Sequence, residues 1–327
     1  MSGDGRMRVG VIGAGVAGLA AAGALVERGH EVVVFDKGRG PGGRISSRRA
    51  EPFVFDHGAQ YFTARDPVFR RRVDELCAEG VVARWEGRLV TLGDSEPRAV
   101  LGPTERFVGT PRMSALARRL ARGLDVRTGQ RVAAAQRRAG RWVLTFENGA
   151  EAGELDRLLV TAPPAQAAAL IGDRSSLSAR AAEIVLRPCW AVMLGLSEPL
   201  AVPFDGAFCE RSSLSWIARN SSKPGRPPGE AWVLHGAPHW TEEHLADGAE
   251  EVAAALVAEL SRLTGVGVPE PAYRAAHRWR YALPDPGLEE GCLFDEAAGL
   301  ALAGDGYVGG RVEGAYLSGL AAAARLG

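Results

Sequence analysis

The residues best suited to chemistry open the sequence, where Gly13-Ala-Gly15-Val-Ala-Gly18 lies between an apolar run and a stretch of small residues. In a G-x-G-x-x-G run the first glycine permits a tight turn and the second lets backbone approach a pyrophosphate. The third lets the following helix pack close to the strand. Backbone N–H groups and the helix dipole then stabilise phosphate charge. Such a run alone is weak evidence, because glycine turns also arise for purely structural reasons. Three further features strengthen it. Asp36, followed by Lys37, ends a second apolar run 18 residues after Gly18. An acid there can bind a ribose diol and disfavours a 2′-phosphate, which leaves FAD or NAD. Pro41-Gly-Gly43-Arg44 can return a guanidinium toward the phosphates. At the far end, Gly304-Asp305 and Gly309-Gly310-Arg311-Val312-Glu313 supply an acid and a second glycine-rich helix start.

Other candidates are weaker. His235 and His239 stand four apart, but Gly236-Ala-Pro238 between them forbids the helix a metal pair would need. No cysteine or acid completes a ligand set, so no metal is expected. Cys77, Cys189, Cys209 and Cys292 are far apart and form no CxxC pair. They read as buried small hydrophobes of a reducing cytosol, so a cytoplasmic protein is expected. Lys plus Arg and Asp plus Glu both number 39. A grip on phosphate backbones would need a basic surface, so nucleic acid is not an expected partner. Arg48–Arg49 and Arg70–Arg72 read as solvated faces. Val9 to Val26 is uncharged and superficially resembles a membrane span, but its glycines fall in the fingerprint, so no membrane partner is expected.

The elements that must position these residues follow from periodicity and punctuation. Met1 to Arg6 reads as a disordered tail. Strand 8–12, helix 15–28 ended by Gly29, and strand 30–35 make a β–α–β unit. Asp66-Pro67 predicts an N-cap and a helix to about Gly80, and Thr110-Pro111 a second such start running to about Gly123. Short β runs span 125–145, with Asn148-Gly149 as a hairpin turn. Strand 155–160 is closed by Pro163-Pro164. Strands are expected over 187–196, 206–209, 213–219 and 231–235, antiparallel because their connections are short. The segment 223–229 is a loop between two of them. Thr241 is expected to cap one long helix to about Leu263. Strand 272–281, a proline-rich crossing at Pro284 and Pro286, strand 300–303 and helix 312–325 complete the chain. At 327 residues there is room for about two domains of roughly 100–200 residues each.

Taken together, these motifs resemble the flavin-containing amine oxidases and p-hydroxybenzoate hydroxylase-like flavoproteins. Within them the chain is similar to the bacterial renalase-like family. That likeness rests on Asp56-His-Gly-Ala-Gln60-Tyr61-Phe62-Thr63, Trp216-Ile-Ala-Arg219-Asn220-Ser-Ser-Lys223-Pro224-Gly225 and His277-Arg-Trp279-Arg280-Tyr281-Ala282. It spans essentially the whole chain. The fold class expected is α/β: a Rossmann-like FAD-binding domain with an inserted substrate domain built on an antiparallel β-sheet plus helices. Its expected bounds are 1–65, 104–165 and 284–327 for the FAD domain, and 66–103 and 166–283 for the substrate domain.

The resemblance implies FAD, and because nothing resembles a distinctive attachment motif, non-covalent binding is expected. Gly13, Gly15 and Gly18 would line the pyrophosphate, Asp36 beside Lys37 the adenosine ribose, and Arg44 the pyrophosphate again. The strand holding Val132 would meet the adenine, and Gly304-Asp305 the ribityl chain or pyrophosphate. The helix from Val312 would aim its amides at flavin N1 and O2, where reduction places negative charge. On the substrate side it implies His57, Gln60 (also a cofactor neighbour) and Tyr61, then Arg219 and Asn220, then Trp279, Arg280 and Tyr281. Plainer roles stand beside these: His57 as a hydrogen-bonded core residue, Trp279 and Tyr281 as packing, Arg219 and Lys223 as loop charges in water, Arg280 in an ion pair. The implied reaction is oxidation of a small molecule, a 2- or 6-dihydro isomer of NAD(P), with molecular oxygen as acceptor and hydrogen peroxide as product. Amine oxidation, a flavin-dependent desaturation or natural-product oxidation, and a non-catalytic FAD-binding redox sensor are the competing readings.

Overall fold

A parallel sheet covered on both faces needs strands that are apolar along their length, and the first strands of this chain are. The computed structural model describes residues 5–94, 96–284 and 290–327. Met1–Asp4 of the expected tail and Pro286 of the expected crossing lie outside them. The chain forms two compact units, 1–44 with 116–186 and 283–327, and 45–115 with 187–282. Segments 45–65 and 104–115, expected in the nucleotide half, pack in the second unit, and 166–186 packs in the first.

In the first unit Arg8–Ile12 lies between Glu31–Phe35 and Arg157–Val160, parallel to both. Leu300–Leu302 and Asp125–Arg127 extend the parallel sheet on its two sides. Leu293–Asp295 closes one edge antiparallel. The helices Val16–Glu27 and Val312–Leu326 lie side by side in the same direction. A Cβ at Gly319 would stand 2.2 Å from the Ala17 carbonyl oxygen, and Arg28 Nη1 donates to Ala323 O at 2.6 Å. The hairpin at Asn148-Gly149 forms as expected, with Gly149 at φ +79° and its amide bonded to Phe146 O.

The second unit is built on a seven-stranded sheet. Gly206–Cys209, Leu214–Arg219, Glu230–Gly236 and Leu186–Leu196 pair antiparallel in that order. Leu89–Leu92 joins Gly206–Cys209 in parallel, a pairing that needs a long connection and was not legible locally. Helix Ala249–Thr264 covers one face, setting Val252, Ala253, Leu256 and Leu260 in one core with Val192, Leu194, Ile217, Trp232 and Leu234. The other face carries a smaller core of Phe55, Met193, Ala231 and Val233 and the polar residues described below.

Several boundaries differ from expectation. Thr241 caps no long helix: it is buried in the short helix Pro238–Glu243, and its Oγ1 accepts from Trp190 N at 3.3 Å. A separate helix starts after Gly248, with Glu250 and Glu251 in its first turn. Asp66 does cap Pro67–Ala78, accepting from Val68 N at 2.8 Å. Thr110-Pro111 does not repeat the motif; that bond is cis and the helix begins at Ser114. Pro164 opens the helix Pro164–Ile171 rather than only closing a strand. The strand expected to end at Tyr281 runs Tyr273–Pro284.

Candidate active site

In the first unit the carboxyl ends of the parallel strands carry the glycine turn, Asp36 and Gly304-Asp305, the edge at which open α/β sheets bind ligands. The three fingerprint glycines have different surroundings. A Cβ at Gly13 would meet Thr161 Oγ1 at 2.5 Å, and one at Gly18 would sit 2.0 Å from Gly13 O. At Gly15 it would meet nothing within 4 Å. Gly13 and Gly18 are therefore tight because the protein packs there, whereas Gly15 faces open space at the start of the helix Val16–Glu27.

The other cofactor candidates surround this turn within the unit. Asp36 accepts from Ala14 N and Gly38 N, each at 2.6 Å, so it holds the turn with both oxygens. Gly38 O and Asp36 O receive the amides of Gly129 and Gln130, which brings the strand opening at Val132 beside it. Val132 itself points into the core. Arg44 Nη1 donates to Asp305 Oδ2 at 2.9 Å, and Nη2 to Oδ1, a two-pronged ion pair. Asp305 O accepts the amides of Val308, Gly309 and Gly310, the loop leading into the Val312–Leu326 helix. Gly304 and Gly309, at φ +149° and +92°, face open space as Gly15 does. Two helix N-termini, each with first-turn amides that have no partner inside the helix, and glycines opening onto empty space fit a dinucleotide pyrophosphate and an electron-accepting ring. Among the described residues none hydrogen-bonds to or forms an ion pair with the Lys37 side chain.

The second unit holds a buried ionic network. Asp56 is fully buried and accepts from Ser47 Oγ at 2.7 Å and Met113 N at 3.0 Å. Arg226 bonds the second oxygen through Nε at 3.2 Å and through Nη2, and its Nη1 donates to Gly109 O at 2.6 Å. Lys223 Nζ lies 3.6 Å from the same oxygen and donates to Asn220 Oδ1 at 2.9 Å and Gln60 Oε1 at 3.1 Å. Gln60, so oriented, donates its amide N–H to Asp56 O and to Gly58 O at 3.1 Å. Burial alone would push the Asp56 carboxyl up, but Lys223 and Arg226 outweigh it and hold it low. Neither cation was placed inside by its sequence, which reads as a proline- and glycine-rich loop. A buried charge, however, persists only when paired.

Burial also pulls the Lys223 ammonium down to about 7, against the pull of Asp56. A cation whose folded value is depressed leaves the unfolded chain holding more proton, so stability rises with pH from about 7 toward its ordinary 10.5 and is lowest below that window. The wild-type urea midpoint is expected to climb between about pH 7.5 and 9.5, and Lys223→Met to abolish the climb. An undiminished climb in the variant would remove Lys223 as its source.

Beside this network stand three rings. His57 stacks on Trp279 with centroids 5.2 Å apart at 26°, and His277 meets His57 at 5.0 Å and Trp279 at 4.4 Å, edge-on to both. The His57 carbonyl accepts Trp279 Nε1 at 2.9 Å and faces His235 Nε2 at 3.2 Å, so His235 carries its proton there. Burial, then His277, Arg48 and His235, hold the His57 imidazole down to about 3. Burial and Arg48 likewise lower His277, and burial takes His235 to about 4. At neutral pH the three histidines are uncharged.

Of the substrate-side candidates, the second unit gathers His57, Gln60, Asn220 and Trp279, and adds Asp56, His235, His277, Lys223 and Arg226. It sets Arg219, Arg280 and Tyr61 apart. Arg219 lies over Trp232, 4.9 Å from its ring centre, with Nη2 on Leu200 O at 3.2 Å, on the helix-covered face. Arg280 alternates with Trp279 along the strand and is exposed, whereas Tyr281 shares the parity of His277 and Trp279. Tyr61 joins a different aromatic group, 5.5 Å from Trp216 and 6.3 Å from Trp85, under Arg106. His277 was readable as a member of a motif but not as a site residue; strand parity with Trp279 was the available signal.

A Rossmann-like unit with this glycine edge, joined in one chain to a sheet bearing buried polar groups, defines a flavin-dependent oxidoreductase. The pattern of the flavin-containing amine oxidoreductases matches residues 86–327, and that of the NAD(P)-binding Rossmann-like domains matches 11–76. The chain belongs to the flavin-containing amine oxidoreductase family and is an FAD-dependent enzyme. It is similar in fold to a putative protoporphyrinogen oxidase from Exiguobacterium sp. (TM-score 0.79, 14% identity, 99% of this chain and 100% of that one). A putrescine oxidase variant matches at TM-score 0.72 and 15% identity over 98% of each chain. A 4,4'-diapophytoene desaturase of Staphylococcus aureus is 48% identical over 52 residues, 16% of this chain and 10% of that protein. The chain thus matches only a tenth of that relative's length. Among the described residues no helix is long and apolar enough to cross a membrane.

Proposed function

We propose that this flavoenzyme oxidises the 2- and 6-dihydro isomers of NAD(P), with molecular oxygen as acceptor. The balance is dihydro-NAD(P) + O2 + H+ giving β-NAD(P)+ and H2O2. Bound FAD supplies the hydride acceptor and returns the electron pair to oxygen. The chain must then bind and orient a planar ring and supply no competing charge.

The observation that carries this reading is the charge around the ring trio. Arg48 acts on both His57 and His277, and Lys223 on His235. Among the described residues the acid that acts on His57 is Asp56, already compensated by Lys223 and Arg226. Such surroundings disfavour an ammonium group and suit a neutral ring bearing phosphates. Hydride loss from a dihydropyridine also requires no base. Amine oxidation is the second reading, favoured by family membership and by the likeness to putrescine oxidase; it requires an ammonium to lose its proton first. A reducing, cytoplasmic setting belongs to the same proposal, supported by four free cysteines.

The test mixes oxidised holoenzyme anaerobically with 2-dihydro-NAD, 6-dihydro-NAD, β-NADH and putrescine, following flavin absorbance. Bleaching by a dihydro isomer is expected to exceed that by β-NADH or putrescine by at least about 100-fold, a difference of some 3 kcal/mol in transition-state binding. Peroxide should appear on adding air. An isomer that leaves the flavin yellow while putrescine bleaches it would overturn the proposal in favour of the second reading.

A further inference from the structure

The strand Tyr273–Pro284 alternates its side chains, so Tyr273, Ala275, His277, Trp279 and Tyr281 share one face. Tyr273 is used up in packing, stacked on Phe55 at 5.4 Å. Trp279 is held differently. Its Nε1 is tied to the His57 carbonyl and His57 covers one face of the indole. The residue nevertheless keeps part of its surface exposed. Among the described residues, the rings against it are His57 on that face and His277 at its edge, and no ring covers the opposite indole face.

His277 stands at the edge of this platform. It is partly exposed, edge-on to both neighbours, and neither ring nitrogen has a hydrogen-bond partner among the described residues. The same strand directs Arg278 to the other side, over Trp190 and onto Leu245 O, so it does not compete for this place. A neutral imidazole carries one donor and one acceptor nitrogen, and a carboxamide carries both kinds of group. Aromatic rings stack face to face with an offset, and the indole face opposite His57 has no other ring stacked on it.

We propose that the face of Trp279 opposite His57 is the platform for the nicotinamide ring and that His277 hydrogen-bonds its carboxamide. This rests on the substrate reading above, and adds which residues recognise the ring and through which substituent. The charge that acts on His277 is that of Arg48, which leaves a neutral imidazole to meet a neutral partner, and His57 and Trp279 are the rings beside it.

The test uses the holoenzyme with NAD+ and with pyridine adenine dinucleotide, in which hydrogen replaces the carboxamide, and reads binding by calorimetry and by indole fluorescence. The wild type is expected to bind NAD+ about tenfold more tightly than the analogue, the span of one hydrogen bond. His277→Phe keeps a ring in place and should bind the two alike, while His277→Gln should restore part of the preference. Trp279→Leu should weaken both ligands together. Unchanged FAD absorbance and melting temperature verify that the variants are folded. A carboxamide preference that survives His277→Phe would overturn the assignment while leaving the substrate reading intact. A wild-type flavin that dihydro isomers do not bleach would overturn both.

Discussion

Asp56→Asn is expected to cost about 3–5 kcal/mol, enough to leave the second unit at the margin of folding. The carboxylate faces Lys223 and Arg226, whose side chains, like its own, have no exposed surface. An amide of the same size keeps the packing and still accepts from Ser47, but two buried cations then lack their counter-charge. Solvating them requires opening the fold. Asp56 is also why acid should act on this protein in particular. Its folded value lies below the ordinary carboxylate range, so its contribution is present above that range and is lost as pH falls through the depressed value. Urea unfolding followed by circular dichroism at pH 7 checks the first point. A loss under about 1 kcal/mol would mean that Lys223 sheds its proton and Arg226 finds other acceptors. Ser47→Ala, which removes the hydroxyl's bonds to Asp56 and from Ser114 N but no charge, should cost only about 1–2 kcal/mol.

The second large effect separates two glycines of one motif. Gly15→Ala is expected to leave the apoprotein's melting temperature within about 2 °C of wild type, since its Cβ meets nothing within 4 Å. It should nevertheless weaken FAD binding by about 100-fold or more, because that space is where backbone approaches the pyrophosphate. Gly18→Ala should damage both. Its Cβ would stand 2.0 Å from the backbone oxygen of Gly13, which cannot rotate away. Apoprotein melting and FAD titration by flavin fluorescence quenching provide the two readings. A Gly15→Ala protein that binds FAD as the wild type does would show that the phosphates lie elsewhere.

Much of the first unit was legible because its signals are local. The glycine turn, the acid at the end of the second strand, the Asp66 cap and the Asn148-Gly149 hairpin each depend on residues within a few positions. The long helix expected from Thr241 failed for a related reason. A cap residue is recognised by type, but here the Thr241 hydroxyl serves the Trp190 amide, 51 residues away. Local preference cannot register a distant competitor.

By itself, then, the sequence determined the dinucleotide turn and the α/β class, because backbone geometry and phosphate binding are properties of short segments; the choice of flavin over NAD came from the family likeness. Tertiary structure decided the substrate side. Arg226 meets Asp56 across 170 residues, and Trp279 reaches the His57 carbonyl across 222. In sequence, Lys223 and Arg226 are charges in a flexible loop, the kind water solvates well. Only the enclosing sheet removes that water, forces the ions into a pair and leaves three neutral rings beside them. Desolvation is a property of the assembled fold, and no single segment carries it.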